Sequence, residues 1–489
     1  MKKLFIPLMA SLAMVSCSTD ETTDLTEGTN HALRFSAVTS KTMTRAVTGV
    51  ADLQRDGFTI AAYGDNNMYF LAQKATYNPN GYFELSRPYY WPSYQLTFAG
   101  WYPNLDFFGE VLDYEYSYGS TSANRPRVNY ITRPVFTEGT DGVQATERRY
   151  TITYRPEISI PSQKDVVITR SQPTRSAVSP NNPITLNFRH ILSQIRVQAR
   201  KQSGQELNIR IAGIALRYVA GEGMFEFPDV TTDTKVTSDN AEALLEALYE
   251  GWTRPSTPVN TATDQWAVIS GGTTPTHEGI NACWTDGSWE TTAPSNYMSR
   301  YELYCQNENG YVDLANPASE GAQGEVVSLM FAGADAQARE AFTVVPQDLY
   351  GHNYTQQSGQ NANGAYLAVL IQITDNNNKD EDENPKQIFP VLDETESNKG
   401  AFGWAAVGMD QKWLPGHRYT YTLLFTDTAA GKKDPDPIID TPDEPGPKPP
   451  VDPDPDEVKD KGDDILGVPM RFTVTVDEWI SAGEFTPAL

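Results

Sequence analysis

Apolar and polar positions alternate with a period of two along much of this chain, the pattern of half-buried strands. Leu33, Phe35 and Ala37 alternate with Arg34, Ser36 and Val38. Phe58 to Tyr63 runs into the turn cluster Gly64-Asp65-Asn66-Asn67, and Met68 to Ala75 and Tyr82 to Leu85 flank the hairpin signal Asn80-Gly81. Leu96 to Tyr102, Thr151 to Tyr154 and Asp165 to Ile168 complete a first unit. Pro173, Pro180 and Pro183 mark a boundary after it. Beyond, Ile184, Leu186 and Phe188 share one face, and Ile195, Val197 and Ala199 continue after a turn. Leu207 to Val219, Val326 to Phe331, Phe342 to Val345, Ala365 to Thr374 and Tyr419 to Phe425 read as further strands. Only Asn240 to Tyr249 has a helical period, with Leu244, Leu245 and Leu248 on one side. The pattern predicts an all-β protein of two units, residues 46–183 and 184–430, with few short helices.

The two ends of the chain carry similar strands. Met470-Arg471-Phe472-Thr473-Val474 matches Leu33-Arg34-Phe35-Ser36-Ala37 as apolar, Arg, Phe, hydroxyl, apolar. Two such strands can fill one groove in turn, the first as a removable placeholder (Leu33, Phe35, Ala37) and the last as its replacement from a neighbour (Phe472, Val474, Val476, Trp479). Two ordinary strands that share five residue types by chance are the plainer explanation.

Between them, residues 434–464 hold twelve acids, three lysines and nine prolines. Such a stretch makes no core and is extended and self-repelling, able at roughly 3.1 Å per residue to reach several tens of ångströms. A strand on so long a leash suits a partner outside its own sheet; a loop inserted at a tolerant place is the alternative.

The start of the chain adds an address. Met1-Lys2-Lys3 precedes the apolar run Leu4 to Val15, the layout of a secretory signal, and the run is too short to span a bilayer. Met14-Val15-Ser16-Cys17 resembles a bacterial lipobox in which Cys17 is acylated, and the polar, acidic Ser18-Thr19-Asp20-Glu21 resembles the surface-export tether of Bacteroidia lipoproteins. Residues 18–45 then form a propeptide: a disordered tether, the first strand, and an exposed basic site at Arg45-Ala46.

Cys283 and Cys305 remain, either as one disulfide or as two buried thiols. The formal net charge of −25 repels nucleic acid and anionic lipid. The five histidines lack ligand spacing, and HExxH, CxxC, G-x-S-x-G and phosphate-loop patterns are absent, so no catalytic residue, metal or cofactor is expected. His190, beside an apolar face, reads as a hydrogen-bonded structural residue rather than a base. Thr374 to Asn378 reads as a hairpin turn, and Asp380-Glu381-Asp382-Glu383 after it as a solvated loop in preference to a calcium site. The aromatic run Tyr89-Tyr90-Trp91 and Phe98 to Tyr102 reads as core before sugar platform, since aromatics bury large areas and enrich strands.

Taken in order, these motifs resemble the fimbrillin family, the subunits of Bacteroidia type V pili. The resemblance rests on the lipobox around Cys17, Arg45-Ala46 after a first strand, Tyr90-Trp91-Pro92 with Leu96-Thr97-Phe98, and Leu186 to Ser193. Val344 to Gln347, Trp413 to Tyr421 and the terminal Phe472 to Trp479 extend it over most of the chain. It implies two transthyretin-like β-sandwich domains and a lipidated outer-membrane precursor. It also implies an arginine-specific surface protease cutting after Arg45, and assembly with other pilus subunits by β-strand exchange. The Asp-Pro linker departs from the family pattern, as does an insertion at 250–325. Two other functions stay open. One is a tip adhesin of such pili, with Trp252, Trp266, Trp284 and Trp289 as ligand surface. The other is an uncleaved surface glycan-binding lipoprotein.

Overall fold

The computed structural model describes residues 32–39, 49–64, 67–103, 127–135, 145–154, 163, 165–175, 182–227 (save 203, 218 and 220–222), single positions and short strands between 232 and 290, 301–331 (save 306, 320 and 321), 341–349, 365–434, 463–467 and 470–478. Cys17, Arg45, Ala46, Trp266 and Trp479 lie outside the described residues.

The first twelve strands are β1 (Phe35–Thr39), β2 (Phe58–Gly64), β3 (Asn67–Asn78), β4 (Tyr82–Leu85), β5 (Thr97–Tyr102), β6 (Arg127–Val135), β7 (Ala145–Tyr154), β8 (Val167–Ser171), β9 (Ile184–His190), β10 (Ser193–Lys201), β11 (Leu207–Arg217) and β12 (Gly223–Glu226). Seven of them hydrogen-bond in the order β1-β4-β3-β2-β5-β8-β9 and close into a barrel. The all-β expectation holds. The pairing path, however, has no free edge, where two open sheets of a sandwich were expected for this unit. β9 also belongs to this barrel by its pairing with β1 and β8, although it follows the prolines read as a boundary. The alternation along Ile184, Leu186 and Phe188 was right; the partner of that face is the interior of the first unit.

The barrel interior is apolar and aromatic. Phe35, Phe58, Phe83, Phe98, Leu186 and Phe188 are buried in one cluster. Tyr89 and Trp91 join it, so this part of the aromatic run is core. The opposite faces of β2, β5 and β8, through Ala61, Ala99, Trp101 and Ile168, pack against Phe225, Phe227, Leu244 and Leu248. Residues 244 and 247–249 are helical, within the predicted helix. A second helix, α1 (Val50–Asp56), went unpredicted. At seven residues it is too short for a period; Asp52 accepts from the Gly49 backbone N–H at 2.9 Å to start it, and Gly57 at φ +75° ends it.

The later strands are β13 (Trp252–Thr253), β14 (Cys283–Thr285), β15 (Ser288–Glu290), β16 (Tyr301–Tyr304), β17 (Val312–Asp313), β18 (Val327–Ser328), β19 (Phe342–Val344), β20 (Gln347–Asp348), β21 (Tyr366–Lys379), β22 (Pro385–Phe389), β23 (Gly403–Gly408), β24 (Lys412–Trp413), β25 (His417–Phe425), β26 (Lys432–Lys433) and β27 (Arg471–Glu478). One sheet has the order β18-β10-β25-β27 with β19 on β10; another has β16-β11-β21-β23-β26 with β17 and β22 at its sides. Their inner faces share one core, which includes Ile195, Val197, Ile209, Ile211, Val369, Ile371, Tyr421 and Leu423.

Three segmental expectations are corrected. Residues 374–378 continue β21, and the turn falls at Asp380 to Asn384, where Asp380 Oδ1 accepts from the N–H groups of Asp382 and Asn384 at 3.0 and 2.8 Å. β16, inside the expected insertion, is a sheet strand paired with β11, with Tyr301 and Leu303 buried. The β6–β7 hairpin, with strands of nine and ten residues, falls mostly in residues 104–150, where the sequence reads as long loops with short strands, and its second strand ends in the predicted Thr151 to Tyr154. Its strands carry Asn, Thr, Arg and Tyr in no clean alternation, which hid it.

Candidate functional site

β1 closes the barrel, lying between β4 and β9. It runs parallel to β9 over five residue pairs, Phe35↔Ile184 to Thr39↔Phe188, and meets β4 antiparallel at Phe35↔Phe83. Leu33 N–H donates to the Tyr89 carbonyl at 2.7 Å, and Ile184 N–H donates to that of Arg34 at 2.8 Å. Without β1 the remaining six strands form an open sheet with β4 and β9 as bare edges.

The side chains of β1 sort as the sequence predicts. Leu33 and Phe35 are buried at 4% and 0% exposure, and Ala37 packs against the same cluster. The Phe35 ring stands edge-on to Phe98 at 5.5 Å. On the other face, the Arg34 guanidinium lies over the Tyr82 ring at 4.3 Å, and the Ser36 hydroxyl bonds Thr185 Oγ1 at 3.2 Å. Burying Leu33 and Phe35 is worth about 3–6 kcal/mol together. That holds a short strand in place.

The C-terminal strand sits elsewhere in its own chain. β27 pairs antiparallel with β25, Leu424↔Arg471 to His417↔Glu478, at the edge of its sheet. Met470 is buried, and Phe472 and Val474 are half-buried on the second core, with the Phe472 ring 5.5 Å from that of Tyr421. Arg471, Thr473 and Thr475 face solvent, and Val476 is 50% exposed. The inward phase is therefore the same in both strands: Leu33, Phe35, Ala37 in one and Met470, Phe472, Val474 in the other. The burial differs, since Phe35 is enclosed and Phe472 is not.

The two ends of the acidic, Pro-rich linker lie together. Lys433 N–H donates to the Asp463 carbonyl at 2.8 Å, Ile465 N–H to that of Gly431 at 3.0 Å, and the Lys432 ammonium pairs with Asp464 at 3.0 Å. The chain leaves and re-enters at one place, so in this state the linker bridges no distance. Sequence cannot reveal that, because the two clamped ends are some thirty positions apart.

Other candidates resolve more simply. His190 Nδ1 lies 2.7 Å from Asp165 Oδ2, both side chains buried, the structural role expected of it. At the acidic turn, Lys399 Nζ sits 2.9 Å from Asp380 and 3.4 Å from Asp382. The lysine hydrogen bond, with the backbone N–H groups, lowers the Asp380 carboxyl pKa. A protein ammonium thus lies against two carboxylates of this turn. Among the described residues no cluster of metal-ligating side chains occurs. Cys305 is a buried free thiol whose pKa burial raises; the side chains of Cys283, Trp252, Trp284 and Trp289 lie outside the described residues. No described helix is long and apolar enough to cross a membrane.

No protein-family model matches the chain, and no curated protein matches it significantly. Solved structures do. A fimbrial protein from Bacteroides vulgatus is 12% identical over 92% of this chain and 100% of its own, with a TM-score of 0.45. A candidate cell adhesion protein from Parabacteroides distasonis is 10% identical over 92% and 100%, with a TM-score of 0.37. Another from Bacteroides ovatus is 12% identical over 81% and 93%, with a TM-score of 0.31. The structural neighbours are fimbrial and candidate adhesion proteins.

Proposed function

We propose that this chain is a non-enzymatic subunit of a cell-surface fimbria, made as an outer-membrane lipoprotein precursor acylated at Cys17. An arginine-specific surface protease cuts after Arg45, β1 leaves with the propeptide, and the terminal strand of a neighbouring subunit takes its seat. One observation supports this most: two strands of the same inward phase lie at the two ends of the chain, one enclosed between β4 and β9, the other half-exposed on an edge. Phe472 gains burial by moving from β25 of its own chain to the seat of Phe35 in the next. Open sheet edges seek a strand, and apolar anchors in alternate pockets give the fit. Each subunit then receives at one end and donates at the other, a head-to-tail contact that grows a filament.

The test is limited trypsin digestion of the precursor lacking Cys17, read by mass, new N-terminus and oligomer ladder. A product beginning at Ala46 that polymerises, with both events blocked by Arg45→Ala, supports the reading. A cleaved, stable monomer overturns it.

A further inference from the structure

Lys201, the last residue of β10, is the only lysine among the largest fully buried side chains of the described residues, at 0% exposure. Its ammonium meets three oxygens: the Leu207 carbonyl at 2.7 Å, Asn316 Oδ1 at 2.9 Å and Asp427 Oδ1 at 2.7 Å. A surface ion pair would need none of this enclosure. Nor do the surroundings leave room by accident. A Cβ at Gly204, where φ is +92°, would stand 2.0 Å from Asp427 Oδ2, and one at Gly324 would stand 2.6 Å from the Ala315 carbonyl oxygen. Both glycines let backbone close round the three side chains. Asp427 is further fixed by the N–H groups of Glu206 and Leu207, at 3.0 and 3.3 Å.

This set holds an amine, a carboxamide and a carboxylate, the groups needed to form an amide between side chains. We propose that Lys201 and Asn316 join in an intramolecular isopeptide bond. Asp427 takes a proton from the Lys201 ammonium and frees its lone pair. Nζ attacks Asn316 Cγ, one bond beyond the oxygen it already touches, within reach of a positioned nucleophile. The tetrahedral adduct collapses, the new N–C bond stays and the old Cγ–Nδ2 bond breaks. Asp427 returns the proton to the departing nitrogen, a second proton passes to it from Nζ, and it leaves as ammonium, a net loss of one ammonia from the chain with Asp427 a carboxylate again. Nothing is oxidised or reduced. Asn316 is itself an exposed residue, which gives the ammonia a way out.

The bond would tie the end of β10 to a segment 115 positions along the chain, beside the turn that follows β25. It would bind covalently the unit that carries the terminal strand. The proposal does not depend on fimbrial assembly.

The test is the intact mass of the folded chain from Ser18 onward, with tandem mass spectrometry of its proteolytic peptides. A mass short by one ammonia, with a branched peptide joining Lys201 to Asn316, is expected. Asn316→Ala and Lys201→Met should each carry the full sequence mass, and Asp427→Ala should slow or abolish the loss. An unmodified mass after prolonged incubation overturns the proposal. So does an ammonia loss mapped to another residue, or a water loss that joins Lys201 to Asp427.

Discussion

The backbone N–H of Lys433 donates to the carbonyl of Asp463 at 2.8 Å, so the acidic, Pro-rich stretch between them begins and ends at one point. Loop closure depends only weakly on length, about 0.6 kcal/mol per doubling. Replacing residues 438–460 by a short Gly-Ser turn should therefore change unfolding free energy by less than about 1 kcal/mol in urea titration. The same variant should fail to polymerise after cleavage, because its terminal strand can no longer reach a neighbour. A shortened chain that assembles normally would assign the linker no part in assembly.

Phe35 tests the seat of β1. Phe35→Ala removes a fully buried ring packed on Phe98 and should destabilise the precursor by about 3–5 kcal/mol. Once the chain has been cut after Arg45 and the propeptide removed, the substitution should have no effect at all. Val476→Ala should be nearly silent in the precursor, since that side chain is 50% exposed. Thermal unfolding of the cut and uncut forms distinguishes these outcomes.

Much of this was readable from the sequence where contacts are local or a face is strictly periodic. Leu33-Phe35-Ala37 and Ile184-Leu186-Phe188 declared their inward positions, and the run from Tyr419 to Phe425 declared a strand. Pairing was not readable. Nothing in the residues of β27 says that it rests on β25, or that β9 seats β1, because both are contacts between distant segments. Lys201 was missed for a different reason: a lysine is expected at the surface, and only the fold brings Asn316 and Asp427 to it. His190 was read correctly as structural, but its partner Asp165, 25 positions away, was invisible.

Tyrosines in the second core set an alkaline limit. Burial pushes the Tyr419 hydroxyl up to about 12, and raises Tyr421 as well. In the unfolded chain a tyrosine ionises near pH 10. The folded state thus holds protons that the unfolded state has lost, and stability falls as pH rises from about 10 through about 12. Denaturation midpoints at pH 8, 10 and 11 should decline through that window, and Tyr419→Phe should flatten the decline. That variant should also be less stable at neutral pH, because the Leu414 N–H, 2.8 Å from the Tyr419 hydroxyl oxygen, loses its acceptor.

Whether the terminal strand takes the seat of β1 can be read directly by cross-linking. Ser36 faces Thr185 in the precursor, and Thr473 is the residue in phase with Ser36, while in its own chain Thr473 lies against Thr422. Two proteins lacking Cys17 and Cys283 are needed, one carrying Thr185→Cys and the other Thr473→Cys, mixed and then cleaved at Arg45. Strand replacement gives a disulfide between the two proteins that appears only after cleavage and as the filament forms. Filaments that grow without that cross-link, or a cross-link present before cleavage, would contradict it.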